Sequence, residues 1–185
     1  MLSILYHLII PFLVAFIATL WIHPKILKIA IIKNLVDNPD ARKLQRRPTP
    51  VMGGLAVFFG LLIGMCSSQL ITKDYMFIYL AAMSIMLYIG TIDDILDLSP
   101  KLRFAIEIAV VTLLMVITSH SVNNFFGLWG VYAIPIWCAI PLTIVAAVGI
   151  INAINLIDGV NGLSTGFCVM ACSLFAILFV LSNNI

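Results

Sequence analysis

The sequence predicts an all-α fold, a polytopic bundle with about six membrane-spanning helices belonging to a larger multi-span fold. Three observations carry that expectation. Of its 185 residues 63% are hydrophobic and only 10% are charged, with a mean hydropathy of +1.16. A soluble domain carries about a quarter charged residues, so most of this surface has to face lipid. The apolar residues gather in blocks near the roughly 20 residues that a helix needs to cross a bilayer. The basic residues lie almost entirely in alternate connections between those blocks.

In chain order the expected spans are Ile4–Ile22, Gly54–Ile71, Tyr75–Ile92, Phe104–Ile117, Val131–Ile151 and Leu163–Leu181. The first becomes apolar almost at once, has no basic leader and is too long for a signal peptide, so it reads as a span that stays. The connections are a long polar segment from Lys25 to Met52, a turn at Thr72–Asp74 and an acidic loop from Asp93 to Arg103. A Ser/Asn/Gly stretch from Ser119 to Gly130 and a polar knot from Asn152 to Gly162 follow. The whole of 1–185 reads as one integral membrane domain. Gly60 with Gly64, and Gly162 with Gly166, have the spacing that lets helices approach closely. Pro11, Pro135 and Pro141 fall in or near spans, where neighbouring helices absorb the lost hydrogen bond. Cys66, Cys138, Cys168 and Cys172 sit in apolar stretches without metal-ligand spacing and read as small hydrophobes. His7, His23 and His120 lie at span ends and read as structural or interfacial.

Short loops rich in Lys and Arg stay in the cytoplasm. Nine of the ten basic residues fall in the first and third connections, with Lys73 alone on the other side. The expected topology therefore puts the N-terminus outside and the loops after spans 1, 3 and 5 in the cytoplasm. A formal net charge of +2 gives no case for nucleic acid.

All acids except Asp74 and Glu107 then share the cytoplasmic face, in three clusters of complementary chemistry. The first is Tyr88–Asp97, with Asp93 and Asp97 one helical turn apart and Asp94 beside them. Carboxylates so close repel one another, and magnesium, which takes one or two carboxylates plus phosphate oxygens, relieves that repulsion. The second is Asp40–Gly54, where Lys43, Arg46 and Arg47, with Arg42, suit phosphate. The third is Ile151–Leu163, where Asn152, Asn155, Asp158 and Asn161 recur every third residue. Amides there suit sugar hydroxyls, an acetamido group or a base edge, and Asp158 adds a metal or substrate contact. Each cluster also has a plainer reading: a helix-ending acidic loop, a topology signal touching headgroups, and interhelical hydrogen bonding.

The segments LVDNPDARKLQRRPTPVMGG, YIGTIDDILDLSPKLRF and NAINLIDGVNGL, in this order at the cytoplasmic ends of spans, resemble the polyprenyl-phosphate N-acetylhexosamine-1-phosphate transferases. That family includes phospho-MurNAc-pentapeptide translocase and the undecaprenyl-phosphate N-acetylglucosamine-1-phosphate transferases, and the wording is closer to the latter. The resemblance implies transfer of a sugar-1-phosphate, N-acetylglucosamine-1-phosphate, from a UDP-sugar to a polyprenyl phosphate, with Mg2+ and release of UMP. Such a reaction initiates cell-envelope polysaccharide synthesis, lipopolysaccharide included, at the bacterial cytoplasmic membrane. It implies catalytic and metal roles for Asp93 and Asp94, a metal role for Asp158, and substrate contacts for Lys43, Arg46, Arg47, Asn152, Asn155, Asp158 and Asn161. The partners would be the UDP-sugar, the lipid phosphate, membrane lipids and, as an option, a second copy in a homodimer.

Two departures stand out. The family's second acid in the third motif is Asn161 here, and the family has about ten or eleven spans, with later cytoplasmic loops not found before Ile185. The chain thus resembles the N-terminal part of such an enzyme, and alone it is expected to be inactive. Two other readings stay open on the residues alone. An intramembrane prenyltransferase would need a second acidic motif, and a transporter would need intramembrane charge, for which Glu107 is the one candidate. An i,i+4 pairing with Arg103 accounts for Glu107 more simply.

Overall fold

The computed structural model describes residues 5–37, 48–68, 75–96, 98–158, 160 and 162–182. All six expected spans correspond to α-helices: α1 (Ile10–Ile32), α2 (Gly53–Cys66), α3 (Met76–Leu96), α4 (Pro100–Thr118), α5 (Ile136–Ile157) and α6 (Leu163–Leu181). Of these α1, α3, α5 and α6 are long and apolar enough to cross a membrane. Helix α2 has 14 residues, or about 21 Å at 1.5 Å per residue, against a hydrocarbon layer of about 30 Å. Helix α4 has the length but holds Lys101, Arg103 and Glu107 in its first half. Packing groups the chain into two compact units, one of Met1–Met76 with Ile157–Ile185 and one of Phe77–Leu156.

In the first unit a π-helical turn (Leu5–Ile9) runs into α1, which continues ten residues beyond the expected end at Ile22. Pro24 lies inside it. The apolar run Ile26–Ile32 sustains the helix past the proline, and Lys25 extends over the Trp21 ring with its ammonium 2.8 Å from the centroid. Long basic side chains of this kind lie along apolar surface while keeping their charge in the polar zone. The helix ends in a Schellman turn. Asn34 adopts φ 54°, its N–H donates to Ile31 O at 3.1 Å, and Leu35 N–H donates to Ala30 O at 2.8 Å. Asparagine is one of the few side chains suited to this left-handed position.

The turn aims the chain into β1 (Val36–Asp37), which pairs antiparallel with β2 (Thr49–Pro50), Val36 opposite Pro50 and Asp37 opposite Thr49. The ribbon joins the two ends of the segment that holds the basic cluster. Helix α2 then packs back on α1 through small residues. A Cβ on Gly64 would stand 2.7 Å from Pro11 O and 2.6 Å from the Ala15 Cβ, and one on Gly60 would stand 2.9 Å from Ala15 O. The expected close approach is thus present at Gly60 and Gly64. At Gly162 and Gly166 a Cβ would meet nothing within 4 Å. Gly162 is needed for its φ of +76° at the start of α6, and no packing requires it.

The second unit contains α3, α4 and α5. The acidic connection expected from Asp93 to Arg103 is mostly helix, because α3 continues to Leu96 and α4 begins at Pro100. Ser99 caps α4, its Oγ accepting from Leu102 N–H at 3.3 Å, and Pro100 takes the first helical position, where its missing N–H costs nothing. Val110, Val111, Met115, Ala139 and Val148 are buried. Away from Ser99, Ser119 (φ 56°) ends α4, Tyr79 O–H lies 3.0 Å from His120 Nδ1, and Val122 N–H donates to Thr143 Oγ1 at 2.9 Å. Helix α5 starts at Ile136, five residues after the expected Val131, because residues 119–135 form an irregular, internally hydrogen-bonded connection.

Candidate active site

Asp93 and Asp94 occupy the last turn of α3, the negative end of a helix, where carboxylates are disfavoured by the aligned carbonyls. Compensation comes from the start of α4. Arg103 Nη1 donates to Asp93 Oδ2 at 2.8 Å, and Leu98 N–H donates to Asp93 Oδ1 at 3.1 Å. Both oxygens of Asp93 are therefore engaged. Asp94 comes one residue later, about 100° further around the helix, and is exposed.

Arg103 is the hub of a polar junction among three helices. One turn along α4 its Nε faces Glu107 Oε1 at 3.6 Å, as the i,i+4 spacing predicts. Glu107 is only 3% exposed, so its second oxygen needs a donor from inside the protein. Asn152 of α5 provides it, donating through Nδ2 to Glu107 Oε2. The same amide nitrogen donates to Val148 O at 2.9 Å, and Asn152 Oδ1 accepts from Arg103 Nη2 at 3.4 Å. The Asn152 amide is thus fully committed inside the protein.

Asn155, one turn further on α5, is exposed. With its amide turned so that the oxygen faces the guanidinium, it accepts from Arg103 Nη1 at 3.1 Å and Nη2 at 3.3 Å. Its NH2 group then remains available. The fork of Arg103 satisfies acceptors in several directions at once, which a lysine point charge cannot do. The junction holds one guanidinium and two carboxylates, and Asp94 adds a further negative charge at its edge.

Asp158 follows α5 and belongs to the first unit, where Ser164 Oγ, buried in the first turn of α6, donates to its carboxylate. Lys43, Arg46, Arg47, Asn161 and Asp97 lie outside the described residues. The structure therefore brings together Asp93, Asn152 and Asn155 of the expected set, with Asp94 adjacent. Sequence reasoning missed Arg103 as the hub and Ser164 as the partner of Asp158, and read Glu107 as no more than a helix pairing. A signal existed: Glu107 is the one charge between Arg103 and Asp158. Among the described residues no three His, Cys, Asp or Glu side chains gather closely enough to hold a metal ion by themselves. Magnesium asks for less, one or two carboxylates with phosphate and water completing its shell. The exposed oxygens of Asp94 beside Asp93 are chemically suited to that.

Comparison with known proteins adds to this geometry. The model of the family described as glycosyl transferase family 4 matches residues 76–185, a range that contains the whole junction. The chain is 34% identical over 180 residues to a probable undecaprenyl-phosphate N-acetylglucosaminyl 1-phosphate transferase of Bacillus subtilis (strain 168), covering 93% of this chain and 48% of that protein. It is 30% identical over 163 residues to the undecaprenyl-phosphate alpha-N-acetylglucosaminyl 1-phosphate transferase of Yersinia pestis, covering 85% and 43%. To the protein of the same description from Escherichia coli O157:H7 it is 33% identical over 155 residues, covering 80% and 40%. The chain spans less than half the length of these curated relatives. No solved structure matches it. A family match over more than half the chain, joined to four helices long and apolar enough to span a bilayer, leads to one conclusion: this is a multi-pass membrane protein belonging to glycosyl transferase family 4.

Proposed function

We propose that the chain is part of an enzyme that transfers N-acetylglucosamine-1-phosphate from UDP-N-acetylglucosamine to undecaprenyl phosphate, releasing UMP. The reaction would take place on the cytoplasmic face of the bacterial inner membrane and begin a cell-envelope polysaccharide such as lipopolysaccharide. The observation that carries the reading is the Arg103 junction, which joins the acidic second motif to the amide-rich third one.

Phosphoryl transfer asks mainly for positioning and charge neutralisation. Asp94, with Asp93, keeps the lipid phosphate unprotonated as its oxygen approaches the sugar-side phosphorus. Arg103 holds Asp93 at a fixed rotamer, so the carboxylate pair is pre-oriented. Asn155 offers its NH2 group to the nucleotide-sugar, whereas the committed amide of Asn152 positions Arg103 and Glu107. Asp158, held by Ser164, adds a second carboxylate contact, with Asn161 beside it in sequence. Lys43, Arg46 and Arg47 supply cations for phosphate oxygens. Asp93 and Asp94 would hold magnesium, which when bound offsets charge on the diphosphate and on departing UMP. A homodimer is compatible with this reading.

The test is exchange of radiolabelled UMP into UDP-N-acetylglucosamine by the full-length protein in the presence of undecaprenyl phosphate. Exchange that needs both the lipid phosphate and magnesium is the expected result. No exchange, with the protein folded and both substrates present, would overturn the proposal.

A further inference from the structure

From Ile108 to Ile157 the chain contains no Asp, Glu, Lys or Arg, yet the middle of this stretch is not a spanning helix. Residues 123–134 fold into a short hairpin, with Asn124 bridged to Ala133. Phe125 N–H donates to Tyr132 O at 2.7 Å, Gly127 N–H to Val131 O at 3.0 Å and Ile134 N–H to Asn123 O at 2.9 Å. The tip closes on itself through Leu128 N–H to Phe125 O and Gly130 N–H to Gly127 O, each 2.9 Å. Phe126 N–H is satisfied by Asn124 Oδ1 at 2.7 Å.

Four residues at the tip have left-handed backbone: Phe126 (φ 51°), Gly127 (85°), Trp129 (54°) and Gly130 (77°). Glycine accepts this freely, but Phe and Trp do so at a cost. Strain of this kind persists where a site uses the result. Here the result is outward presentation, since Phe126 is 87% and Trp129 86% exposed. Leu128, Tyr132 and Trp137 are exposed beside them.

We infer that this hairpin is an aromatic anchor seated in the headgroup–acyl boundary of the bilayer, at the surface opposite the Arg103 junction. Helix α4 separates the two, its 19 residues reaching about 28 Å at 1.5 Å per residue. Trp and Tyr combine an apolar ring with one polar tip and settle at that depth. The absence of any formal charge removes the main barrier to entry, and the internally bonded backbone limits the cost of leaving water. The hairpin leads directly into α5, which is itself long and apolar enough to cross.

The test uses the whole chain in phosphatidylcholine vesicles, with Trp21→Phe and Trp137→Phe leaving Trp129 as the one fluorophore. Lipids brominated near the glycerol end should quench Trp129 more than lipids brominated near the methyl end. That ordering corresponds to a position about 5–10 Å into the boundary, and aqueous iodide should quench weakly. A second reporter, Phe126→Trp with all three native tryptophans replaced by Phe, should give the same ordering. Strong iodide quenching without bromolipid quenching would place the hairpin in water and overturn the inference. Protection from both quenchers would place it against protein, a second copy included, and would overturn it equally.

Discussion

Removing the Arg103 side chain is the sharpest single test of the polar junction. Arg103→Ala deletes the 2.8 Å bond to Asp93 and the 3.6 Å ion pair to Glu107. It leaves Glu107, with a side chain only 4% exposed, facing the Asn152 amide without a cation. Breaking a buried pair by removing one partner costs about 3–5 kcal/mol. The Arg103 side chain is 28% exposed, so water reaches the vacated space and the low end, about 3 kcal/mol, applies. For a chain of 150–250 residues each kcal/mol moves the thermal midpoint by about 2–4 °C, so the expected drop is roughly 6–12 °C. The assay is thermal unfolding of the purified chain in detergent at one fixed scan rate. Arg103→Lys should fall between wild type and Arg103→Ala, since a point charge cannot serve Asp93, Glu107 and both amides together. The double variant Arg103→Ala/Glu107→Gln should be more stable than Arg103→Ala, because Gln keeps a contact to Asn152 and strands no charge. Coupled neighbours show interaction energies of about 0.5–3 kcal/mol. Strictly additive losses, or an Arg103→Ala midpoint unmoved within about 0.5 kcal/mol, would refute the view of Arg103 as the hub.

Further expectations follow from other parts of the molecule. In the full-length protein Asp94→Asn should lower UMP exchange at least about a hundredfold with expression unchanged, the scale of lost acid–base help; Asp93→Asn should lower it as far and also reduce thermal stability, and near-normal exchange in both would remove the pair from the catalytic centre. Asn152→Ala should destabilise the chain by about 1–3 kcal/mol through the stranded Glu107 oxygen, whereas Asn155→Ala should raise KM for the UDP-sugar with little change in midpoint; the reverse pattern would exchange their roles. Gly64→Ala puts a methyl 2.7 Å from a backbone carbonyl that cannot rotate away, so overpacking should cost about 1–3 kcal/mol, and an unchanged midpoint would count against the α1–α2 contact. Single cysteines at positions 45 and 123 report topology: an impermeant maleimide added outside intact cells should label position 123 and spare position 45.

Much of the fold was legible because lipid imposes one rule, that backbone polar groups be satisfied within each helix, and apolar blocks reveal where those helices run. Boundaries were less legible where local signals conflicted. Pro24 and Lys25 mark the end of a span by composition, but the apolar run Ile26–Ile32 and the turn at Asn34 carry α1 to Ile32. Ser99-Pro100 reads as a stop after an acidic stretch and serves as a start, because a capping Ser and a first-turn Pro fit the head of a helix as well as they interrupt one. In the site, the three-residue spacing of Asn152 and Asn155 and the four-residue spacing of Arg103 and Glu107 were visible, since both are properties of one helix. The convergence of Arg103 on Asp93 and Asn152 was not, because it depends on how three helices meet. The pairing of Ser164 with Asp158 was hidden for a similar reason: the turn that joins them hinges on Gly162 at positive φ.

The short connection between Leu96 and Pro100 sets an angular phase. Asp93 and Arg103 meet only because α4 leaves that connection at one rotation about its axis. A residue added or removed there would turn α4 by about 100° and translate it by 1.5 Å, swinging Arg103 away from Asp93 and Glu107 away from Asn152 together. Surface loops ordinarily tolerate insertions well. This one is a keyed joint, in which loop length is as much a determinant of the site as the identity of any side chain within it.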